Sequence, residues 1–419
     1  MINDLLRARI MTCSAGGKFV LIRFVQLYGT GMAVALSVKA LAKDLGVTDR
    51  VASDAIKQLV AQGLLSQQAT EGRLGRPSSS YTCIRKALAE KLSLGGGAKQ
   101  KAMHDKCIDR LLNGVLSQGA ERLLYANRLL LGVLLAHADE FGVVRGLGLR
   151  DLSELTGLKK EVLRQRLVTL EAQCYIRATV PGVTGRALFK PTKSLYILNL
   201  GHQMLKAQTE PYPLVLRHAS KVWPARNIFS AARRNKIGPL QLGHGSYIVD
   251  GLFDATDWLR LTPMLQAMID GYASFLLSEH FDALEQDFPS IDELFERIRQ
   301  DFAHLGSKYV GSDSELGNPG DLVLLLHEEA VTWARQIKAV IKKTTNLCGG
   351  KFKCMVLPPS KQVRGYTEYW ALLVIPAEAE MLRGLDVNMW LKSLNRTYEQ
   401  EDDIPLEDRY RSGLLTRPR

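Results

Sequence analysis

Long apolar runs are missing from this 419-residue chain, and so are the short signatures of several chemistries. No stretch of about 18 apolar residues occurs, which argues against a membrane-spanning helix. The N-terminal residues MINDLLRARIMTCSAGGKF lack the unbroken apolar segment of a secretion signal, so a cytoplasmic protein is expected. Six cysteines (Cys13, Cys83, Cys107, Cys174, Cys348 and Cys354) form no CxxC pair and have no histidine at zinc-finger spacing. Reduced thiols are expected, with a redox or metal pair of Cys348 and Cys354 as the alternative. GxxxxGKS/T and GxSxG are both absent, which leaves no P-loop and no nucleophile elbow. His327-Glu328-Glu329 begins like the zinc motif HExxH, but Val331 stands where the second histidine belongs, so a solvated helical charge cluster is expected instead. Asp250, Asp254 and Asp257 are likewise spaced as one solvated helix face, the alternative being a metal site for nuclease chemistry. No catalytic residue, metal ligand or cofactor is assigned.

Charge is plentiful but lopsided. The chain carries 55 Lys and Arg against 43 Asp and Glu, a net +12, yet up to residue 200 there are 29 basic and 15 acidic residues, and beyond it 26 and 28. The whole excess therefore sits in the first half, as expected where that half meets a polyanion. A polybasic amphipathic helix that would favour lipid is not found, nor is an aromatic-rich sheet signature that would favour RNA.

The stretch LSVKALAKDLGVTDRVASDAIKQLVAQGLLSQQ, from Leu36 to Gln68, reads as a short helix, a turn at Gly46-Val47 and a second amphipathic helix. In the second helix Val51, Ala52, Ala55, Ile56, Leu59 and Val60 form an apolar stripe, while Arg50, Ser53, Asp54, Lys57 and Gln58 lie on the opposite face. Thr48 is placed to cap its start. Two short strands, Leu64 to Gln68 and Ser80 to Ile84, flank a tip containing Gly72, Arg73, Gly75, Arg76 and Pro77. In that order these parts resemble the winged helix-turn-helix of bacterial DNA-binding proteins. The resemblance implies that the second helix lies in a major groove and that Arg73 and Arg76 of the wing reach phosphates or the minor groove.

A second copy starts about 111 residues later: Leu41, Gly46, Val51, Ile56, Leu59 and Leu65 are matched by Leu152, Gly157, Val162, Leu167, Leu170 and Ile176. Lys159, Lys160, Arg164 and Gln165 lie on or beside the outer face of its second helix, and Arg186, Lys190 and Lys193 in a longer wing, which suggests phosphate contact. Arg166 replaces Ala55, and no Ser, Thr, Asp or Asn caps the helix at Leu158. A degenerate copy used for packing or dimerisation is the alternative.

The expected fold class is mainly α with small β hairpins (α+β). The first module takes residues 1–93, led by a helix over Phe19 to Tyr28. Residues 94–120, opening on Gly95-Gly96-Gly97, read as a flexible linker that lets the modules choose their separation. The second module takes residues 121–200, led by a helix over 121–136. Residues 201–419 read as a mostly helical domain with a short strand pair. Its helices start at Thr262-Pro263, at a capping box of Ser290 and Glu293, and at Asp321, the last ending at Lys343; its strands are Lys351 to Leu357 and Tyr369 to Ile375. Arg233-Arg234-Asn235-Lys236 could extend the basic surface or be a plain surface run. The charged tail from Tyr398 reads as loose.

The resemblance implies a sequence-specific binder of double-stranded DNA, cytoplasmic and nucleoid-associated, acting as a transcriptional regulator and dimerising or sensing a signal through its C-terminal domain. A replication initiator of a plasmid or phage-type mobile element, and a DNA-binding protein with a C-terminal nuclease, are the alternatives.

Overall fold

The structure, a computed structural model, describes residues 1–9, 13–70, 78–94, 104–114, 123–184, 188–205, 211–217, 223–232, 258–286, 291–305, 319–344, 352–358, 369–377, 398 and 401–417. The wing residues Gly72, Arg73, Gly75, Arg76, Pro77 and Arg186, the aspartates Asp250, Asp254 and Asp257, the cluster Arg233 to Lys236, and Cys348 lie outside the described residues.

After a short helix α1 (Ile2–Arg7), the first copy is built on α2 (Ala15–Tyr28), whose first turn is held by Ser14 Oγ accepting the Gly17 N–H at 3.1 Å. Phe19 to Val25 are all buried, so this is a central helix with no solvated face over that stretch. Then follow β1 (Ala33–Leu36), α3 (Val38–Leu45), α4 (Asp49–Ala61), β2 (Leu65–Thr70), β3 (Ser78–Cys83) and α5 (Arg85–Leu94). The three strands form an antiparallel sheet in the order β1-β3-β2. Strand β1 is missing from the reading by pattern: AVAL is too short and too uniformly apolar to alternate.

Helices α6 (Asp105–Asn113) and α7 (Tyr125–Ala136) come next, then β4 (Val143–Val144), α8 (Leu149–Thr156), α9 (Lys160–Ala172), β5 (Ile176–Val180) and β6 (Leu195–Leu198). Their sheet has the order β4-β6-β5, which is the order of the first sheet repeated. The α3–α4 pair and the α8–α9 pair start and end at positions offset by 111 residues throughout. Both pairs turn on a left-handed glycine, Gly46 with φ +71° and Gly157 with φ +70°, where a side chain would be strained.

Two expectations for the first half need correction. Part of the stretch read as linker, Asp105–Asn113, is the packed helix α6, with Cys107, Ile108, Leu111 and Leu112 buried against α7. Nor are the two copies loosely joined, because α1 and α2 pack directly on α7, and α1 also on α8. Lys18 of α2 is buried at the centre of this junction, its Nζ donating to Leu6 O (3.1 Å), Ala8 O (2.8 Å) and Leu155 O (2.5 Å). These carbonyls sit at the C-terminal ends of α1 and α8, where helical acceptors lack partners and the helix dipole is negative, so one ammonium serves two helix ends. Arg128 of α7 lies over the Phe19 ring at 5.0 Å and donates to Leu111 O. Arg7 Nε reaches Ala136 O at 2.7 Å, and Arg9 pairs with Asp151 and Glu154 at 3.1 and 2.9 Å.

The chain divides into two compact units, Met1–Ile176 with Ile197–Gln208, and Arg177–Tyr196 with Thr209–Pro418. The second contains β7 (Tyr212–Arg217), α10 (Pro224–Ala232), α11 (Trp258–Glu279), α12 (Asp292–Asp301), α13 (Pro319–Thr344), β8 (Phe352–Val356), β9 (Tyr369–Pro376) and α14 (Leu406–Ser412). The expected strand pair is a three-stranded antiparallel sheet with β9 in the middle, its unforeseen edge β7 carrying Pro213. Helix α11 begins a turn before Thr262-Pro263, and the proline sits inside it. Helix α12 starts from Ile291 with no side-chain cap; Ser290 lies outside the described residues, and Glu293 meets His280 at 3.2 Å instead of closing a box.

The tail is not loose. Ile404, Tyr410, Leu414 and Leu415 are buried, and Glu401 forms a forked, buried ion pair with Arg177 of β5 at 2.6 and 2.8 Å. The Thr416 N–H adds a backbone bond to Arg177 O at 2.7 Å. Its apolar residues anchor a segment whose overall polarity disguised them.

Candidate nucleic-acid interface

Helix α4 is oriented by its apolar residues: Ala52, Ala55, Ile56 and Leu59 are buried, and Val51 and Val60 half-buried. Thr48 caps it as expected, its Oγ1 accepting the Val51 N–H at 3.4 Å, and is itself exposed. On the outer side Arg50 and Lys57 are exposed and Ser53 is half-buried. Arg50 is 93% exposed and stands 4.0 Å from the Asp54 carboxylate, a solvated pair that leaves both side chains easily redirected.

Gln58 does not belong to that side. Its Oε1 accepts from Ser14 N (3.1 Å) and Ser14 Oγ (2.7 Å), so it fastens the start of α2 to α4. Val51, Ala55, Gln58 and Gln62 recur at helical spacing along one flank, and Gln62 likewise meets the Cys13 thiol at 3.0 Å. The Gly16-Gly17 pair allows the approach, since a Cβ on Gly17 would sit 2.6 Å from Gln58 Oε1.

In the second copy Leu163, Leu167 and Leu170 of α9 are buried, and Lys159, Lys160, Arg164 and Gln165 are all exposed. Arg166, at the position of Ala55, is half-buried. No side chain caps α9; the turn before it is held by Thr156 Oγ1 accepting the Leu158 N–H and by Ser153 Oγ donating to Leu158 O. Lys190 and Lys193 are exposed beyond β5. The two outer faces differ in charge. That of α4 and its cap mixes Asp49, Arg50, Asp54 and Lys57, which cancel; the first half of α9 and its cap set Lys159, Lys160 and Arg164 against Glu161, with a second acid, Glu171, only in the last turn.

The segment from Cys13 to Gly17 links the two helices. It is bound to α4 through Gln58 and Gln62, and it lies so close to the α8–α9 turn that a Cβ on Gly157 would stand 2.5 Å from Cys13 O. Gly157 is therefore required twice, for its backbone conformation and for this contact.

Elsewhere, His327 is not part of a solvated cluster. It is buried and stacked on Phe295, with ring centroids 3.9 Å apart, and burial lowers its pKa. Glu329 is half-buried; burial, and then the Glu328 charge, push its carboxyl up to about 7. Asp270, buried in α11, accepts from Gln266 Nε2 (2.8 Å) and Trp333 Nε1 (3.0 Å), and burial raises its pKa to about 8. Among the described residues no group of three His, Cys, Asp or Glu side chains is placed to hold a metal ion, and no helix is long and apolar enough to cross a membrane. No protein-family model matches the chain, and no curated protein matches it in sequence.

Proposed function

We propose that this protein binds double-stranded DNA sequence-specifically through two winged helix-turn-helix modules, and that it acts as a transcriptional regulator. The observation that carries the reading is the repeat. Two helix pairs with the same bounds, each turning on a left-handed glycine and each ending in a helix with an exposed polar outer face, lie in the half of the chain that has the whole positive excess.

The charges divide the labour. The neutral outer face of α4, with Arg50, Ser53 and Lys57 among acidic neighbours, gains little from phosphates and is suited to base edges. The outer face of α9 is suited to the backbone through Lys159, Lys160 and Arg164 and to a base edge through the exposed Gln165, so it both holds the duplex and reads a second part of the site. Lys190 and the wing residues Arg73, Arg76 and Arg186 add to the electrostatic contact.

The test is recovery of fragments from the genome that encodes the protein, retained by the full chain at physiological salt. Promoter fragments near its own gene would support a regulator, and iterated repeats at a replication origin an initiator. Retention of random and genomic duplex alike would refute sequence-specific binding.

A further inference from the structure

The two outer helices belong to one rigid frame. Helix α4 packs on α2, α2 on α7, and α7 on both α8 and α9, so each neighbour in this series holds the next through buried side chains. Polar ties reinforce the apolar ones. Lys18 joins the ends of α1 and α8 from within α2, and Arg23 of α2 reaches Asn113 Oδ1 of α6 at 2.7 Å. Gln26 meets Asp109 at 3.0 Å, and the Phe19 and Tyr125 rings are 5.8 Å apart. All of these ties are made by residues outside the stretch between α5 and α6.

From this frame we infer that one copy of the protein recognises a bipartite duplex site at a single fixed spacing, one part under α4 and the other under α9. The inference rests on the DNA-binding reading above. Two modules on a flexible tether tolerate changes in separation, because the tether alters only an effective concentration. Two helices fixed in one core do not. Each added base pair moves the second part by roughly 3.4 Å and turns it by roughly 35° about the duplex axis. A packed interior yields by neither amount without breaking contacts.

The experiment starts from a site selected by the full-length protein and mapped by footprinting, with the number of copies bound measured by mass. Variants of that site then carry one, two, five or ten base pairs inserted between the two protected blocks. The expected result is one copy per site and at least a tenfold loss of affinity at every insertion, including ten, which restores the face of the duplex but not the distance. In addition, Lys57→Ala should weaken protection of one block and Arg164→Ala of the other. Binding within about threefold of the parent at one or ten inserted base pairs would overturn the inference while leaving DNA binding intact, as would a single protected block or two copies each covering one block. A chain that retains no duplex at all would overturn the DNA-binding reading itself.

Discussion

Replacing Lys18 by methionine tests the junction between the two copies where it is most exposed to chemistry. Methionine keeps much of the side-chain volume and removes the ammonium from the three carbonyls at Leu6, Ala8 and Leu155. Burial pushes the Lys18 pKa from 10.5 down to about 7, partly offset by the nearby Cys13 thiol. The unfolded chain therefore holds this proton over a pH range in which the folded chain has released it. Stability contributed by the group is complete only above the unfolded value and is lost as pH falls through about 7. Between pH 9 and pH 6 the loss amounts to about 2.5 kcal/mol. At pH 9 the folded side chain is a neutral amine with two N–H donors, and the acceptors that Lys18→Met leaves without them cost about 1–3 kcal/mol each, so the variant should be the less stable protein at that pH. The margin should then narrow by about 2.5 kcal/mol on going to pH 6. All five tryptophans lie beyond residue 222, so indole fluorescence does not report on this unit. Hydrogen exchange of the amides from Phe19 to Val25 does, after correction of intrinsic rates for pH. Groups that titrate alike in both proteins cancel in the difference; His137, whose pKa the Lys18 charge helps to lower, does not and is followed separately. A wild-type margin that stays constant or widens towards pH 6 would refute the reasoning.

Four further outcomes are expected. Residues 1–100 and 101–419 expressed as two chains should co-purify through the α1, α2, α7 and α8 contacts, and separation of the two pieces on a sizing column would contradict that packing. Asp270→Asn keeps the acceptor for Gln266 and Trp333 and removes a carboxyl that must take up a proton to fold; because its folded pKa is raised, stability falls as pH rises from 3.8 to about 8. The variant should gain about 4 kcal/mol at pH 7 and under about 2 at pH 5, and a lowered denaturation midpoint at pH 7 would argue against a neutral Asp270. Glu401→Ala leaves the buried Arg177 guanidinium without its carboxylate and should destabilise the second unit by about 3–5 kcal/mol, read by tryptophan fluorescence in urea; an unchanged midpoint would mean that the tail contributes nothing. On DNA, Lys57→Ala should lower affinity for the selected site by about 1–3 kcal/mol and leave random duplex nearly untouched, whereas Arg164→Ala should weaken both and reduce the salt slope by about one ion; equal effects on both sequences from Lys57→Ala would remove base readout from α4.

What was legible in the sequence is what depends on one helix at a time. The period of Ala52, Ala55, Ile56 and Leu59, the glycines at 46 and 157 and the capping threonine at 48 each act within a few residues, and the structure has them in place. The repeat was legible for the same reason, since its matched leucines and isoleucines are buried and its matched glycines make the turns. What escaped depends on partners distant in sequence. Gln58 looks polar and solvated until Ser14, 44 residues earlier, is seen to use it. His327 looks like part of a charged run until Phe295 covers it. Strands β1 and β7 are short and gain their status from β3 and β9. Helix α6 could have been found, because Cys107, Ile108, Leu111 and Leu112 fall on one face, but the glycines before it drew attention to flexibility. The tail's four buried apolar residues were hidden by the acids around them.

The pairing of Glu401 with Arg177 also sets an order in time. The two residues are 224 positions apart, so at a synthesis rate of about 5–20 residues per second the guanidinium waits roughly ten to forty-five seconds for its carboxylate. For that interval β5 lacks both the charge partner and the backbone bond from Thr416. The helices that surround Lys18 are by then already made, together with the helices they pack on. The nascent chain therefore holds an assembled first unit before the second can close, and until then the unpaired edge of β5 remains open to other strands.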